Sequence, residues 1–257
     1  MTEEQVKAQL LSCGVENARW EADALCEKFT GRALEDAVAR RCGGYPLQYI
    51  LGEWDFYRQT YEVGEACLIP RSDTELLVEQ AVKRLPEGGR FLDLCTGSGC
   101  VAISTLCERS DLTGVAVDLY ESTLAIAARN AARNGAADRL SLQIADVLQP
   151  PSAAFARGGF DAILANPPYI RDDVVPTLQR EVQFEPAAAL CGGEDGLDFY
   201  RAILQEWSCL LAPCGIMLLE IGYDQAEALA ALAEKHGFSH TVFKDLGGND
   251  RVVLLTK

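Results

Sequence analysis

The residues Asn166-Pro167-Pro168-Tyr169 close the apolar run "FDAILA" with a side-chain amide, a carbonyl on a rigid imide and an aromatic ring. A planar amide or exocyclic amine keeps its nitrogen lone pair in conjugation and is a poor nucleophile. Two acceptors that hold its two N–H groups orient the nitrogen and stabilise the positive charge that grows on it during alkylation. The Asn166 side-chain oxygen can be one acceptor. The Pro167 carbonyl can be the other, because proline fixes its own backbone and brings no competing N–H. Pro168 stiffens the turn, and Tyr169 can pack over the flat group. The same letters also make an ordinary strand end, since Asn-Pro is a turn signal and two prolines cannot continue a sheet.

A second motif decides between these readings. In "FLDLCTGSGCVAIS" the glycines Gly97 and Gly99 stand between an apolar run and a helical one. Glycine there permits a tight turn and close approach of a ligand, while the helix start presents free N–H groups to an anion. Gly97-x-Gly99-x-x-Ala102 fits the relaxed dinucleotide fingerprint, and Asp118, 19 residues beyond Gly99, is placed to accept the two hydroxyls of an adenosine ribose. The pattern serves NAD, FAD and S-adenosylmethionine alike. Asp93, at the end of the first run, favours the last: a carboxylate repels a pyrophosphate but suits an ammonium and a sulfonium. Asp146, in "QIADVL", either meets the adenine edge or caps a turn. With this loop in front of it, Asn166 to Tyr169 reads as a substrate clamp, and no general base is needed, since an N-methylated amide cation loses its proton readily.

The elements that must position these motifs follow from periodicity. Strands are expected at 90–95, 113–118, 139–144, 160–165, 214–221, 238–244 and 251–256, with helices near 99–109, 121–134, 197–211 and 224–236. Alternation of strand and helix implies a mostly parallel sheet covered on both faces. The last two strands, separated only by "KDLGGND", should form an antiparallel hairpin at one sheet edge. Parallel strands deliver ligands at their C-terminal ends, so the glycine loop and Asn166 should share a crevice. Upstream, Thr2 to Gln5 forms a capping box before a small helical unit reaching about residue 42. "GGYPLQYILGEWDFYRQTYEVGEACLIP" reads as a connector with a hairpin, Glu53 to Tyr57 against Tyr61 to Ile69. Ser72-Asp73-Thr74-Glu75 has the form of a second capping box, opening a helix to about Leu85. The aperiodic stretch from Arg171 to Asp198 lies beside the crevice and reads as a lid. Arg71 is either a cofactor or substrate contact, or half of an ion pair with Asp73 or Glu75.

Composition narrows the function classes. A net charge of −15 in 257 residues argues against a broad grip on nucleic acid, which needs clustered Lys and Arg. The start, Met-Thr-Glu-Glu-Gln, has no apolar segment of a signal peptide, and no run approaches the ~18 apolar residues of a membrane span, so a cytoplasmic protein without membrane contact is expected. The ten cysteines are scattered without Cys-x-x-Cys spacing and the two histidines lie far from most of them, which reads as reduced thiols and no metal site.

"YPLQYILGEWDF", "LIPRSDTELLVE", "DLCTGSGCVAIS", "FDAILANPPYI", "EVQFEPAAALCGGEDGLDFYRAI", "LLEIGYDQ" and "DLGGNDRVVLLTK" resemble, in order, the blocks of a known family. It is the HemK or PrmC type of protein-glutamine methyltransferase, release factor-specific, which modifies the glutamine of the Gly-Gly-Gln motif in peptide-chain release factors. The resemblance implies a helical substrate-recognition domain over 1–45, a linker with a β-hairpin over 46–70 and a catalytic domain over 71–257. That domain would have the class I S-adenosylmethionine-dependent methyltransferase fold: α/β, Rossmann-like, with a mostly parallel seven-stranded sheet ending in an antiparallel hairpin. Carried over residue by residue, Cys95, Thr96, Gly97, Ser98 and Gly99 would line the methionine end of S-adenosylmethionine. Asp118 would hold its ribose, Asp146 and Val147 would border its adenine, and Asn166, Pro167, Pro168 and Tyr169 would clasp the substrate glutamine beside the cofactor. Asn166, Pro167 and Tyr169 would be the catalytic set. Ser72 departs from the family, which has proline there. The implied partners are peptide-chain release factors, as protein substrates of a monomer that has no direct nucleic-acid substrate. Other readings are a glutamine methyltransferase of a ribosomal protein, an adenine-specific nucleic-acid methyltransferase using the same clamp, and a non-enzymatic cofactor-binding module.

Overall fold

The computed structural model describes residues 1–155 and 158–257. Four helices open the chain: α1 (Glu3–Ser12), α2 (Ala18–Lys28), α3 (Gly31–Cys42) and α4 (Leu47–Leu51). The Thr2 side chain caps α1 and Gln5 returns the bond, so this capping box forms as expected. Val6, Leu10, Leu25, Leu34 and Val38 are buried together, and Leu47 and Ile50 of α4 join them, so this helical core runs past residue 45. Arg41 and Glu21 tie α3 to α2 by a buried bidentate pair, with Arg41 Nη2 at 2.9 Å from Glu21 Oε1.

The connector carries the hairpin β1 (Glu53–Phe56) and β2 (Gln59–Glu62), shorter on its second arm than the sequence suggested. Beyond Glu62 the chain leaves the ladder. Cys67 and Ile69 are buried with Val63, Tyr49 and Ile126 between the helical unit and the rest of the chain.

Helix α5 (Glu75–Arg84) leads into the alternating region: β3 (Arg90–Leu94), α6 (Cys100–Glu108), β4 (Thr113–Asp118), α7 (Glu121–Arg133), β5 (Leu140–Ile144), β6 (Phe160–Ala165), α8 (Asp198–Ala202), β7 (Leu211–Glu220), α9 (Ala226–Lys235), β8 (Ser239–Lys244) and β9 (Asp250–Thr256). The seven strands order as β5-β4-β3-β6-β7-β9-β8. All neighbours are parallel except β7 with β9 and β9 with β8. The expected hairpin is thus present, with β9 inserted beside β7 and β8 at the edge. Strand β6 returns to pair with β3 after the chain has gone out through β4 and β5, which creates the reversal point where an open sheet binds ligands.

Both faces are covered, because side chains alternate along each strand. Leu92, Leu94, Ile163, Ala165, Met217 and Leu219 pack with Leu229 and Ala233 of α9. Phe91, Ala162, Leu164 and Leu218 pack with Leu77 and Val78 of α5 and Val101 of α6. The same alternation carries Asp93, Asn166 and Glu220 to the side of α5 and α6.

Two local expectations fail. The Ser72–Glu75 box does not form: Ser72–Thr74 is a 3-10 turn without a side-chain cap, and α5 starts at Glu75. The Glu75 carboxylate turns instead to the hairpin, accepting the Tyr57 N–H at 2.8 Å, while Thr74 is buried. The helix expected over 197–211 is regular only through Ala202, widening to a π turn over Ile203–Trp207. That turn seats the fully buried Trp207, whose indole donates to the Val147 carbonyl at 2.9 Å and the Gln149 carbonyl at 3.1 Å. Among the described residues no helix is long and apolar enough to cross a membrane.

Candidate active site

A cavity of about 320 Å3 opens at the C-terminal ends of β3, β4 and β6. Its wall includes Asp93, Cys95, Thr96, Gly97 and Ser98 from the β3–α6 turn, Asp118 to Tyr120 after β4, and Ala145 to Leu148 after β5. Asn166 and Pro168 contribute from the end of β6. The two motifs singled out in the sequence therefore meet. Gly99, Pro167 and Tyr169 do not reach the wall. Gly99 has a φ of 83° and packs behind the loop, where a Cβ would stand 2.8 Å from Ile103 Cδ1. Pro167 is buried, and Tyr169 packs against the core under α8 while its carbonyl accepts from Gln225 Nε2 at 2.9 Å. The expectation that the Tyr169 ring covers a flat substrate group is not what this arrangement presents.

The β3–α6 turn is shaped by backbone demands. Gly97 has a φ of 56°, and a Cβ added there would meet nothing within 4 Å, because it would project into the cavity. Cys95 adopts the left-handed conformation without being glycine, at φ 59°, a strained state of the kind that clusters at binding sites. Asp118 holds the turn by accepting the Gly97 N–H at 3.0 Å and the Tyr120 N–H at 3.3 Å. Burial raises the Asp118 carboxyl above its ordinary value, and the N–H groups of Gly97, Tyr120 and Leu119 pull it back. Asp93 is 1% exposed and accepts the Thr96 hydroxyl at 2.6 Å. Burial pushes its carboxyl up to about 7, against the stabilising Thr96 hydroxyl and Ala102 N–H. Asp146 accepts the Leu148 N–H at 2.9 Å while lining the cavity, so it both caps its turn and faces the ligand space.

Three carboxylates thus face the cavity, and the one guanidinium that lines it among the described residues, Arg71, is already paired with Glu185. Asp73 and Glu75 are not its partners: Asp73 lies 3.3 Å from Arg251. Glu185, itself buried, also accepts the Ile69 N–H at 3.0 Å, which fixes the connector that forms the cavity roof at Ala66, Cys67 and Leu68. Such a site favours a cationic ligand. Ser98 is 2% exposed, and among the described residues its hydroxyl has no partner beyond the weak thiol of Cys100 beside it. With the free N–H groups at the start of α6 it forms a donor set suited to a carboxylate. An acidic wall together with this small donor cradle fits S-adenosylmethionine, which carries an ammonium, a sulfonium and a carboxylate. Four thiols, of Cys67, Cys95, Cys100 and Cys191, also line the cavity, and burial raises each above the ordinary thiol value. Among the described residues no group of three or more His, Cys, Asp or Glu could hold a metal ion.

The segment 171–198 forms one wall, through Pro186, Ala188, Ala189 and Cys191. It bridges Ile170 to Cys191 and reaches back to the helical unit, where Glu181 lies 2.8 Å from Arg41 and the Phe184 ring packs edge-on to Tyr45 at 5.3 Å.

Two site residues escaped the sequence reading. Asn166 Nδ2 donates to Thr74 Oγ1 at 3.1 Å, and the same hydroxyl acts to lower the pKa of the buried Glu220 carboxyl. Glu220 carries the only charge in the run "IMLLEIG", and an acid at the end of an apolar strand is the signal that could have found it.

Residues 72–189 match the family model described as "Methyltransferase small domain". The chain is 40% identical over 230 residues to the release factor glutamine methyltransferase of Thermodesulfovibrio yellowstonii, covering 87% of this chain and 81% of that protein. It is 37% identical over 268 residues to the release factor glutamine methyltransferase of Geobacter sulfurreducens, covering 96% and 92%. A methyltransferase crystal structure from Pyrococcus furiosus superposes with a TM-score of 0.57 at 20% identity, over 77% of this chain and 88% of that one, which shows the shared fold.

Proposed function

The chain belongs to the release factor glutamine methyltransferase family, and from that premise we propose that it transfers a methyl group from S-adenosylmethionine to the glutamine side-chain nitrogen in the Gly-Gly-Gln motif of peptide-chain release factors. The observation that carries this reading is the placement of Asn166 on the wall of the same cavity as the Gly97–Ser98 loop, at the reversal point between β3 and β6.

The cofactor supplies an electrophilic methyl group on a sulfonium. This chain's residues do the rest. Asp93, Asp118 and the start of α6 would hold the charged and hydroxyl groups of the cofactor, with Asp146 and Val147 at its base. Asn166 donates to Thr74 through Nδ2, which leaves Oδ1 free to accept one N–H of a substrate amide. Pro167 stands outside the wall of the cofactor cavity, and its carbonyl, to which no backbone N–H among the described residues donates, is in this reading the second acceptor for a substrate amide that reaches past that wall. Holding both hydrogens turns the nitrogen lone pair toward the methyl group and offsets charge as it develops. The methylated nitrogen then releases its proton to water. In this scheme residues 1–45 recognise the release factor, 46–70 link, and 71–257 catalyse, as a monomer in the cytoplasm.

The test is to incubate the protein with methyl-labelled S-adenosylmethionine and, in parallel, a release factor, duplex DNA and ribosomal subunits. Label is expected on the release factor glutamine alone. Label on DNA, or none on a release factor with an intact Gly-Gly-Gln, overturns the reading.

A further inference from the structure

The amide of Asn166 is nearly symmetric in shape, so packing alone seats it equally well in two orientations that exchange Oδ1 and Nδ2. Only one of them presents an acceptor to the cavity. What selects it must be a polar neighbour with a fixed hydrogen-bonding sense. Thr74 is that neighbour, at 3.1 Å, but a hydroxyl both donates and accepts and settles nothing by itself.

Glu220 lies behind it. Ala165 pairs with Leu219 across β6 and β7, so the next residues of the two strands, Asn166 and Glu220, emerge side by side on the α5 face. The Glu220 side chain is 1% exposed, lies near the Thr74 hydroxyl, which favours its charged form, and among the described residues its Oε2 has no hydrogen-bond partner. An ionised carboxylate only accepts. We propose that Glu220 is a positioning residue: its carboxylate takes the Thr74 hydroxyl hydrogen, Thr74 must then accept from Asn166, and Asn166 Oδ1 is thereby held toward the substrate. A carboxylate in an apolar sheet costs stability, and this directional role accounts for keeping one there.

The relay rests on the assignment of Asn166 as the substrate acceptor. It also predicts a pH dependence. Burial pushes the Glu220 carboxyl up to about 7, Asp73 raises it further, and Thr74, Arg251 and Arg71 act against burial. The phenol of Tyr169, the phenol of Tyr200 and the thiol of Cys100 face it from the other elements. Once protonated, Glu220 becomes able to donate, and the sense of the chain is lost.

The test varies S-adenosylmethionine at saturating release factor substrate and reads kcat and the cofactor KM, for Thr74→Val, Thr74→Ser, Glu220→Gln and Asn166→Ala. Thr74→Val is expected to lower kcat by about tenfold to a hundredfold while the cofactor KM moves less than about threefold. Thr74→Ser, which keeps the hydroxyl, should recover to within about threefold of wild type. Glu220→Gln, which can donate as well as accept, should lose about tenfold in kcat and should no longer decline as pH falls below about 7. Wild-type kcat in Thr74→Val, or equal losses in Thr74→Ser and Thr74→Val, overturns the relay. If Asn166→Ala is impaired but the Thr74 and Glu220 variants are not, the relay alone fails. Full turnover by Asn166→Ala overturns the clamp and the relay together. Should Thr74→Val not fold, the Glu220→Gln pH profile decides, and one unchanged from wild type refutes the proposal.

Discussion

Cofactor affinity should depend on pH through Asp93. Its carboxyl is 1% exposed, lines the cavity and is pushed by burial up to about 7. A cation brought beside it favours the charged form, so its value falls on binding and binding releases a proton wherever Asp93 was protonated. The sign follows: above about 7 the site is already ionised and affinity is flat, and below it each pH unit weakens binding tenfold, about 1.4 kcal/mol. At pH 5.5 the dissociation constant should therefore stand about thirtyfold above its plateau, provided the bound form stays ionised. Calorimetric titration of S-adenosylmethionine between pH 5.5 and 8.5 measures this directly. Repeating it at pH 6 in buffers of different ionisation enthalpy counts the released proton, which should approach one. Asp93→Asn should bind more weakly at pH 8 and lose the slope. A wild-type affinity constant across the range, or a slope that survives in Asp93→Asn, refutes the placement of the cofactor cation beside this carboxylate.

Gly97→Ala should abolish cofactor binding, because its Cβ enters the cavity, yet lower stability by only about 1–2 kcal/mol for a side chain at φ 56°; calorimetry and thermal melting separate the two effects. Arg41→Ala leaves Glu21 buried without its partner and frees Glu181, and denaturant unfolding should show a loss of about 3–5 kcal/mol. In the cofactor-free protein Asp93 and Glu220 both titrate above their unfolded values, so the folded state favours their neutral forms, and that stability is present at low pH and lost as pH rises through about 7. Their contribution should raise Tm between pH 8 and pH 6, and Asp93→Asn should shrink the rise; a Tm difference unaltered by the substitution contradicts the assignment.

The order of elements was legible because strand and helix periods alternate cleanly from Arg90 onward, and because "KDLGGND" is too short for a crossover. The strand ends were placed within a few residues, as at Phe160–Ala165, where Asn-Pro stops the ladder. The Ser72 capping box misled because local spacing says nothing of a competing partner: Glu75 finds the Tyr57 N–H of the hairpin, and Thr74 finds an amide 92 residues away. Arg71 likewise pairs with an acid 114 residues distant instead of its neighbours. The cofactor loop is a contiguous motif and could be read directly. Thr74 and Glu220, proposed to orient Asn166, come from a turn and from another strand, and only the tertiary fold brings them to it.

The thiols around the cavity bear on chemical compatibility. A thiolate is the nucleophile a sulfonium alkylates most readily, and a chamber built for a methyl donor that is lined with cysteine would be expected to inactivate itself. Burial holds Cys67 at about 11 and Cys100 at about 12, against an ordinary thiol value of 9.0, so at neutral pH their ionised fractions are lower by about a hundredfold and a thousandfold. Cys95 and Cys191 are shifted in the same direction, with neighbouring carboxylates adding to the effect. The acidic, dry surroundings that draw in a cationic cofactor thus also passivate the sulfur beside it, leaving the substrate nitrogen as the nucleophile that the site prepares.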